Sequence, residues 1–321
     1  MTCPSTSPPA DTEAIIQVEG FRMDFGAKTV IDGLSFDVRR GETFGFLGGN
    51  GCGKTTTIRA LLGIYQATAG TLHINGKPFR PEDGRTLGYL PEERGLYKKE
   101  SVLDVMVYFG ELKGLSRRAA RGWSMDFLER VNLADKAKTR LDKLSGGQQQ
   151  KVQLGVTIMS KPELLILDEP AKGFDPVNRR LLMDIITEQK RDGATVIMVT
   201  HQMEEVEQLC DRILLLKGGK AEAYGTVAEV QDHYGTRTAT IAYTGVLPED
   251  ASYIPVEVRQ TGAPGEFTAH LALTDAVDSA ELLRHFVSLG VRVSSFTTSR
   301  TSLEDIFLRI YGADPALEGA L

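Results

Sequence analysis

The sequence predicts an α/β protein, with buried parallel strands, intervening helices and a mostly helical middle region, followed by a small α+β domain. Three observations predict it. Two unbroken apolar runs, "ELLILD" at 163–168 and "TVIMVTH" at 195–201, have the hydrophobicity of strands buried on both faces. A Gly-rich loop, "GGNGCGKTTT" at 48–57, stands between a strand-like and a helix-like segment. Near residue 236 the pattern changes to short strands and two amphipathic helices.

Each element follows in order. Residues 14–47 contain "AIIQVEGFRMDF", "VIDGLSFDV" and "ETFGFLG", strands rich in Val, Ile and Phe whose turns carry Gly. A helix runs from Thr55 through "TTTIRALLGIY". The region of about 92–160 reads as mostly helical. Within it Val102, Val105, Met106 and Phe109 keep i, i+3, i+4, i+7 spacing behind a Ser101–Asp104 cap. After 163–168 comes a helix with Leu182, Ile185 and Ile186 inward, then the strand 195–201, then a closing hairpin in "RILLLKGGKAEAYG". Past 236, "TATIAY", "IPVEVRQ", "EFTAHLAL" and "VRVSSFTT" are strands. One helix carries Leu282, Leu283, Phe286 and Leu289 and ends at Gly290. A last one, capped by Thr301 or Ser302, buries Leu303, Ile306, Phe307 and Ile310. The expected divisions are a disordered tail 1–12, a main domain 13–235 with its helical subdomain about 92–160, a C-terminal domain 236–312 and a tail 313–321.

A chain of 321 residues with 41% hydrophobic and 25% charged residues has the composition of a globular protein with a sizeable core. The net charge of −6 gives no support for a general nucleic-acid binder. The first fourteen residues lack Lys, Arg and an apolar centre, so they are not a signal peptide. No apolar run approaches the ~18 residues of a membrane span, so a membrane role must come through a partner. Three widely spaced cysteines fit a reducing compartment.

The loop Gly48, Gly49, Asn50, Gly51, Cys52, Gly53, Lys54, Thr55, Thr56 matches G-x-x-x-x-G-K-[ST]. Its glycines let backbone N–H groups turn toward phosphate oxygens, and the following helix adds a favourable dipole. Lys54 is a point charge for the β- and γ-phosphates, and Thr55 offers a hydroxyl to Mg²⁺. Asp168 ends an apolar strand at the ligand edge of an α/β sheet and is the expected acid for the metal. Glu169 beside it is placed to deprotonate or orient an attacking water. His201, closing the next strand, points to the same edge as a phosphate sensor. Cys52, at a helix N-terminus beside Lys54, is expected to be a reactive thiol shielded by nucleotide.

A second glycine pair raises a further question. "LSGGQ" at 144–148 puts Ser145, Gly146, Gly147 and Gln148 at another helix start, a second anion site. One nucleotide does not need two complete cradles from one chain. Two chains arranged head to tail would close the loop of one and the "LSGGQ" of the other on the same triphosphate, with ATP as the dimer's glue.

Over about residues 14–230 the chain resembles the ATP-binding subunit of an ABC transporter. "GGNGCGKTT" resembles Walker A, "LSGGQ" the signature, "LLILDEP" Walker B, "AKGFD" with Asp175 the D-loop, and His201 the switch histidine. The resemblance implies a P-loop NTPase core with an antiparallel β part and a helical subdomain, and a dimer beneath membrane subunits, with ATP and Mg²⁺ as cofactors. It implies Phe25 as the aromatic stacked on adenine, and Ser145 and Gly147 as ligands of the opposite chain's γ-phosphate. It also implies Glu92 at the Q-loop position as a metal contact beside Thr55 and Asp168. The C-terminal domain, "YLPEERGLY" and "SLEDIFLRIYG" are similar to a bacterial subgroup paired with type-2, sodium- or drug-exporter-like permeases.

The expected function is therefore ATP hydrolysis driving export through a separate ABC-2-type membrane permease, at the cytoplasmic face of the cell membrane. A homodimer suffices because every catalytic position is filled, and a heterodimer is the other option. No nucleic-acid partner is expected. A soluble relative acting on DNA or ribosomes is the alternative, but the long heptads, zinc cysteines or second cassette it would carry are not found. A P-loop kinase would leave "LSGGQ" unexplained. Three positions depart from the family pattern: Gly49 for Pro, Glu92 for Gln, and "AKGFD" for Ser-Gly-Leu-Asp. The C-terminal domain shows no metal, nucleophile or cradle motif, and structural or dimer support is its expected role.

Overall fold

The computed structural model describes residues 13–93, 95–235, 237–261, 265–274 and 278–312; the two expected tails and Cys3 lie outside them. The chain divides into one compact unit ending at Gly225 and another starting at Thr226.

In the first unit β1 (Ala14–Phe25), β2 (Lys28–Arg39) and β4 (Ala69–Ile74) form an antiparallel sheet of order β2-β1-β4. The other sheet has order β5-β6-β7-β3-β8-β9. Its strands are β3 (Thr43–Gly48), β5 (Leu87–Leu90), β6 (Leu164–Asp168), β7 (Thr195–Val199), β8 (Arg212–Lys217) and β9 (Lys220–Thr226). The first five of these in space, β5 to β8, run parallel. Every residue of β3, β6 and β7 is buried, which is why their sequences are continuous apolar runs. Phe21, Ile31 and Leu34 of the antiparallel sheet share a core with Phe44, Phe46, Ile166 and Ile197 of the parallel one. Buried Arg212 ties the two sheets, 3.0 Å from Asp37 and 3.2 Å from Glu42.

The helices follow the caps. α1 is Lys54–Leu61. The sequence carries this helix to Tyr65, but it closes at Leu61, because Gly63 takes a left-handed φ of 67° just past the end. α2 (Val102–Leu112) starts on Ser101, whose hydroxyl accepts from the Asp104 N–H at 3.2 Å, and buries Val102, Val105 and Met106. α3 (Arg117–Arg130) and α4 (Gly146–Ile158) complete the helical region. α5 (Pro176–Arg191) buries Leu182, Ile185 and Ile186, and α6 (Met203–Leu209) follows β7.

In the second unit β10 (Thr238–Thr244), β11 (Tyr253–Gln260), β12 (Glu266–Leu273) and β13 (Arg292–Ser299) form an antiparallel sheet of order β11-β12-β10-β13. The sequence puts the domain boundary at 235/236, whereas the structure divides at Gly225/Thr226. The difference is α7 (Val227–Tyr234), which starts on a Thr226–Glu229 capping box and packs on α9 (Leu303–Gly312). α8 (Ser279–Ser288) buries Leu282 and Phe286; Leu289, expected inward, lies past the helix end and is exposed. Ser302 caps α9, accepting from the Asp305 N–H at 3.1 Å. No described helix is long and apolar enough to cross a membrane.

Candidate functional site

Four neighbouring parallel strands, β5, β6, β7 and β3, end on one edge of the sheet. The chain leaves them at Pro91, Glu169, Thr200 and the Gly-rich loop, so that edge collects Glu92, Asp168, Glu169, His201 and Gly48–Thr56. Parallel strands place their C-terminal ends together, which makes this edge the natural ligand site.

After buried β3 the loop turns into α1 at Gly53, whose φ of 111° disfavours any other residue. A Cβ there would lie 2.3 Å from Cδ1 of buried Ile31. α1 begins without a side-chain cap and without an acid in its first turn, whereas α2, α3, α4, α5 and α7 all start on Ser, Asp or Thr caps. Its leading N–H groups therefore face the loop with no acceptor supplied by a capping side chain, as an anion cradle requires. The Lys54 ammonium lies across the loop, donating to the carbonyls of Gly48 at 2.7 Å and Gly49 at 3.1 Å. Cys52 is buried in the apolar core cluster. Burial of this side chain favours an unreactive thiol over the expected reactive one.

Thr55 Oγ1 lies 3.4 Å from Asp168 Oδ2. Asp168 is almost fully buried, and its carboxyl is pushed up to about 6. Burial is the largest cause, followed by the negative charges of Glu92 and Glu169; Lys54 and Thr55 pull the other way. The consequence for stability has a definite sign. The protonated acid favours the folded state fully below the ordinary carboxylate range, and this contribution is lost as pH rises through about 6. Asp168→Asn should then raise the thermal stability of nucleotide-free protein at pH 7.5 by about 3 kcal/mol, while its Mg²⁺-dependent ATPase activity falls by roughly 10²-fold. A melting temperature below that of the unaltered protein would contradict the buried-charge account.

Glu169 holds a left-handed φ of 50°, uncommon for a residue with a side chain and costing about 1–2 kcal/mol. Its N–H donates to the Val199 carbonyl at 2.8 Å, which fixes the turn. The side chain is largely buried, with Oε1 at 2.8 Å from Nδ1 of exposed His201. A carboxylate oriented by an imidazole has the chemistry of a proton acceptor.

Ser145 and Gln148 form a reciprocal capping box at the start of α4: Ser145 Oγ accepts from the Gln148 N–H at 3.3 Å, and Gln148 Oε1 accepts from the Ser145 N–H at 2.9 Å. Gln149 donates to the Leu144 carbonyl and Gln150 to the Pro170 carbonyl, so the glutamine run holds the loop entering α4 and the loop leaving β6. Gly146 and Gly147 are the first helical residues; a Cβ on Gly147 would meet the Gly173 carbonyl at 3.3 Å. Asp175 caps α5, accepting from the Asn178 N–H at 2.8 Å. Phe25 is half exposed, edge-on to Tyr65 with ring centroids 5.5 Å apart.

Glu92, expected at the metal beside Thr55 and Asp168, is near enough for its charge to act on the Asp168 carboxyl. Its carboxylate also meets the Lys172 ammonium at 2.6 Å. Gln153 Nε2 reaches the carbonyls of Pro91 and Glu93, both at 3.4 Å, and so brackets Glu92 from α4. Neither Lys172 nor Gln153 was a candidate from sequence. Lys172 had a signal, since two departures from the family pattern carry opposite charges; Gln153, one more polar residue of a helix, had none.

A model described as "ABC transporter" matches residues 31–172, and one described as "ATP-binding protein DrrA1-3-like, C-terminal domain" matches 225–311. The uncharacterized ABC transporter ATP-binding protein YhaQ of Bacillus subtilis is 36% identical over 93% of this chain and 99% of its own length. The chain belongs to the ATP-binding subunits of ABC transporters. The Nod factor export ATP-binding protein I of Ralstonia nicotianae is 32% identical over 94% of each chain. A solved ATP-binding subunit of an ABC transporter superposes with a TM-score of 0.64 at 29% identity, over 68% of this chain and 93% of that one.

An ATP-binding subunit of this family implies a nucleotide and a divalent cation. The donors fit Mg²⁺: a hydroxyl and a buried carboxylate are hard oxygens, and Mg²⁺ at a phosphate takes one or two carboxylates with substrate oxygens and water. Among the described residues no three His, Cys, Asp or Glu side chains form an all-protein metal cage. A separate cavity of about 700 Å³ in the second unit is lined by Asp232, Arg237, Thr238, Leu273, Ser299 and Arg300. It holds no acid–base pair comparable to Glu169–His201; its Arg300 is paired with Asp232 at 3.1 Å.

Proposed function

We propose that this subunit hydrolyses ATP as one half of a dimer that drives export through a separate ABC-2-type permease. The observation that carries the reading is the convergence of Lys54, Thr55–Asp168 and Glu169–His201 on one sheet edge. Export is supported by the exporter relative, which matches both domains of this chain.

In this reading Phe25 stacks on adenine, the loop N–H groups and Lys54 hold the β- and γ-phosphates, and Thr55 and Asp168 hold Mg²⁺. The cation supplies charge neutralisation and orientation of the phosphates. The Glu169 carboxylate takes a proton from the attacking water while His201 fixes its orientation. Ser145, Gly146, Gly147 and Gln148 of the second chain close over the γ-phosphate, and Asp175 lies in the loop between the chains. Dimer support is the proposed role of the C-terminal unit, where the edge strand β11 leaves Ile254, Val256 and Val258 exposed.

Location at the cytoplasmic face of the membrane follows from the same proposal and gives its test. Tagged protein isolated from host membranes in mild detergent should bring down a polytopic ABC-2-type permease, identified by mass spectrometry. Recovery of ribosomal or chromosomal proteins with no permease would replace export by the soluble alternative.

A further inference from the structure

Glu92 and Lys172 come from different loops, one after β5 and one after β6, and meet at 2.6 Å. Their side chains are 42% and 60% exposed, so the pair adds little to stability. Its position gives it another effect. The Lys172 N–H donates to the Glu169 carbonyl at 3.1 Å, so Lys172 lies one tight turn from the proposed base. Glu92 is close enough to Asp168 for its charge to act on that carboxyl. Three carboxylates, Glu92, Asp168 and Glu169, therefore crowd the edge that must accept a polyanion, and like charges repel there.

We infer that Lys172 is a positioning residue of the nucleotide site, which draws the Glu92 carboxylate aside and offsets its charge so that the triphosphate can enter. Glu92 without Lys172 leaves an unbalanced negative charge facing the phosphates. Gln153, whose side-chain amide reaches the carbonyls on either side of Glu92, holds the loop that carries it. The two departures from the family pattern are in this view one change, an acid matched by a base.

This inference rests on the nucleotide reading of the site. The test is binding of trinitrophenyl-ATP in EDTA, where no cation masks the carboxylates. Lys172→Met should weaken binding on the order of tenfold, the scale of the Glu92 carboxylate, no longer drawn aside, standing roughly 10 Å from the phosphates at an effective dielectric near 20. Lys172→Arg should retain binding. In a Glu92→Gln background the same Lys172→Met change should shift affinity by less than about threefold, because no carboxylate is left for Lys172 to draw aside. With Mg²⁺ present, Lys172→Met should raise the KM for ATP more than it lowers kcat. Equal weakening in both backgrounds would mean that Lys172 acts on the phosphates directly, and would overturn the pairing. So would an unchanged Lys172→Met in a protein that binds the probe. A failure of the unaltered protein to bind trinitrophenyl-ATP at all would instead overturn the nucleotide reading, and this inference with it.

Discussion

Glu169→Gln should bind ATP as the unaltered protein does and hydrolyse it at least about 10²-fold more slowly, the scale of a lost general base. The amide keeps the shape of the side chain and a contact to His201, which stands 2.8 Å from Glu169 Oε1, but it no longer accepts a proton from water. Because ATP is then bound and not cleaved, the variant should accumulate as an ATP-bound dimer, seen as a doubling of mass by light scattering on addition of MgATP. The left-handed φ of 50° belongs to the backbone and is unaffected by the change. Turnover equal to that of the unaltered protein would remove Glu169 from the role of base and shift attention to Asp168.

The second large effect is restoration of activity between two dead variants. Lys54→Ala removes the ammonium of the phosphate loop, and Ser145→Arg puts a bulky cation on the cap of α4, where the serine hydroxyl accepts from the Gln148 N–H. Each alone damages both sites of a symmetric dimer. If each site takes its loop from one chain and its Ser145 from the other, a mixed dimer has one doubly damaged site and one intact one. With free exchange, an equal mixture should recover roughly a quarter of normal activity. Mixed dimers verified by mass that stay inactive would defeat the arrangement of one intact, independently working site.

The local elements were legible because their signals are local. The buried strands β6 and β7 show as continuous apolar runs, the phosphate loop shows by its glycine spacing, and the Ser101 and Ser145 caps show by the residue types next to a helical pattern. The sequence also predicted which residues end at one sheet edge, since a parallel sheet puts the C-terminal ends of its strands together. Readings failed where a local signal was overruled. The stretch 227–234 is continuous in sequence with the first unit, yet α7 packs on α9, a contact made across some seventy residues of chain. Leu289 continues the apolar pattern of α8 but falls beyond its last turn.

What the sequence by itself determined was the set of chemical groups: a phosphate loop, an acid pair at a strand end, a histidine after the next strand and a second glycine-led helix. Those depend on residues within a few positions of each other. Only the tertiary structure decided the partnerships between them. Glu169 with His201, Glu92 with Lys172, and Gln153 of α4 with the backbone around Glu92 join segments that are 32, 80 and about 60 residues apart. No local preference encodes such pairs; they follow from the strand order β5-β6-β7-β3, which sets the loops side by side.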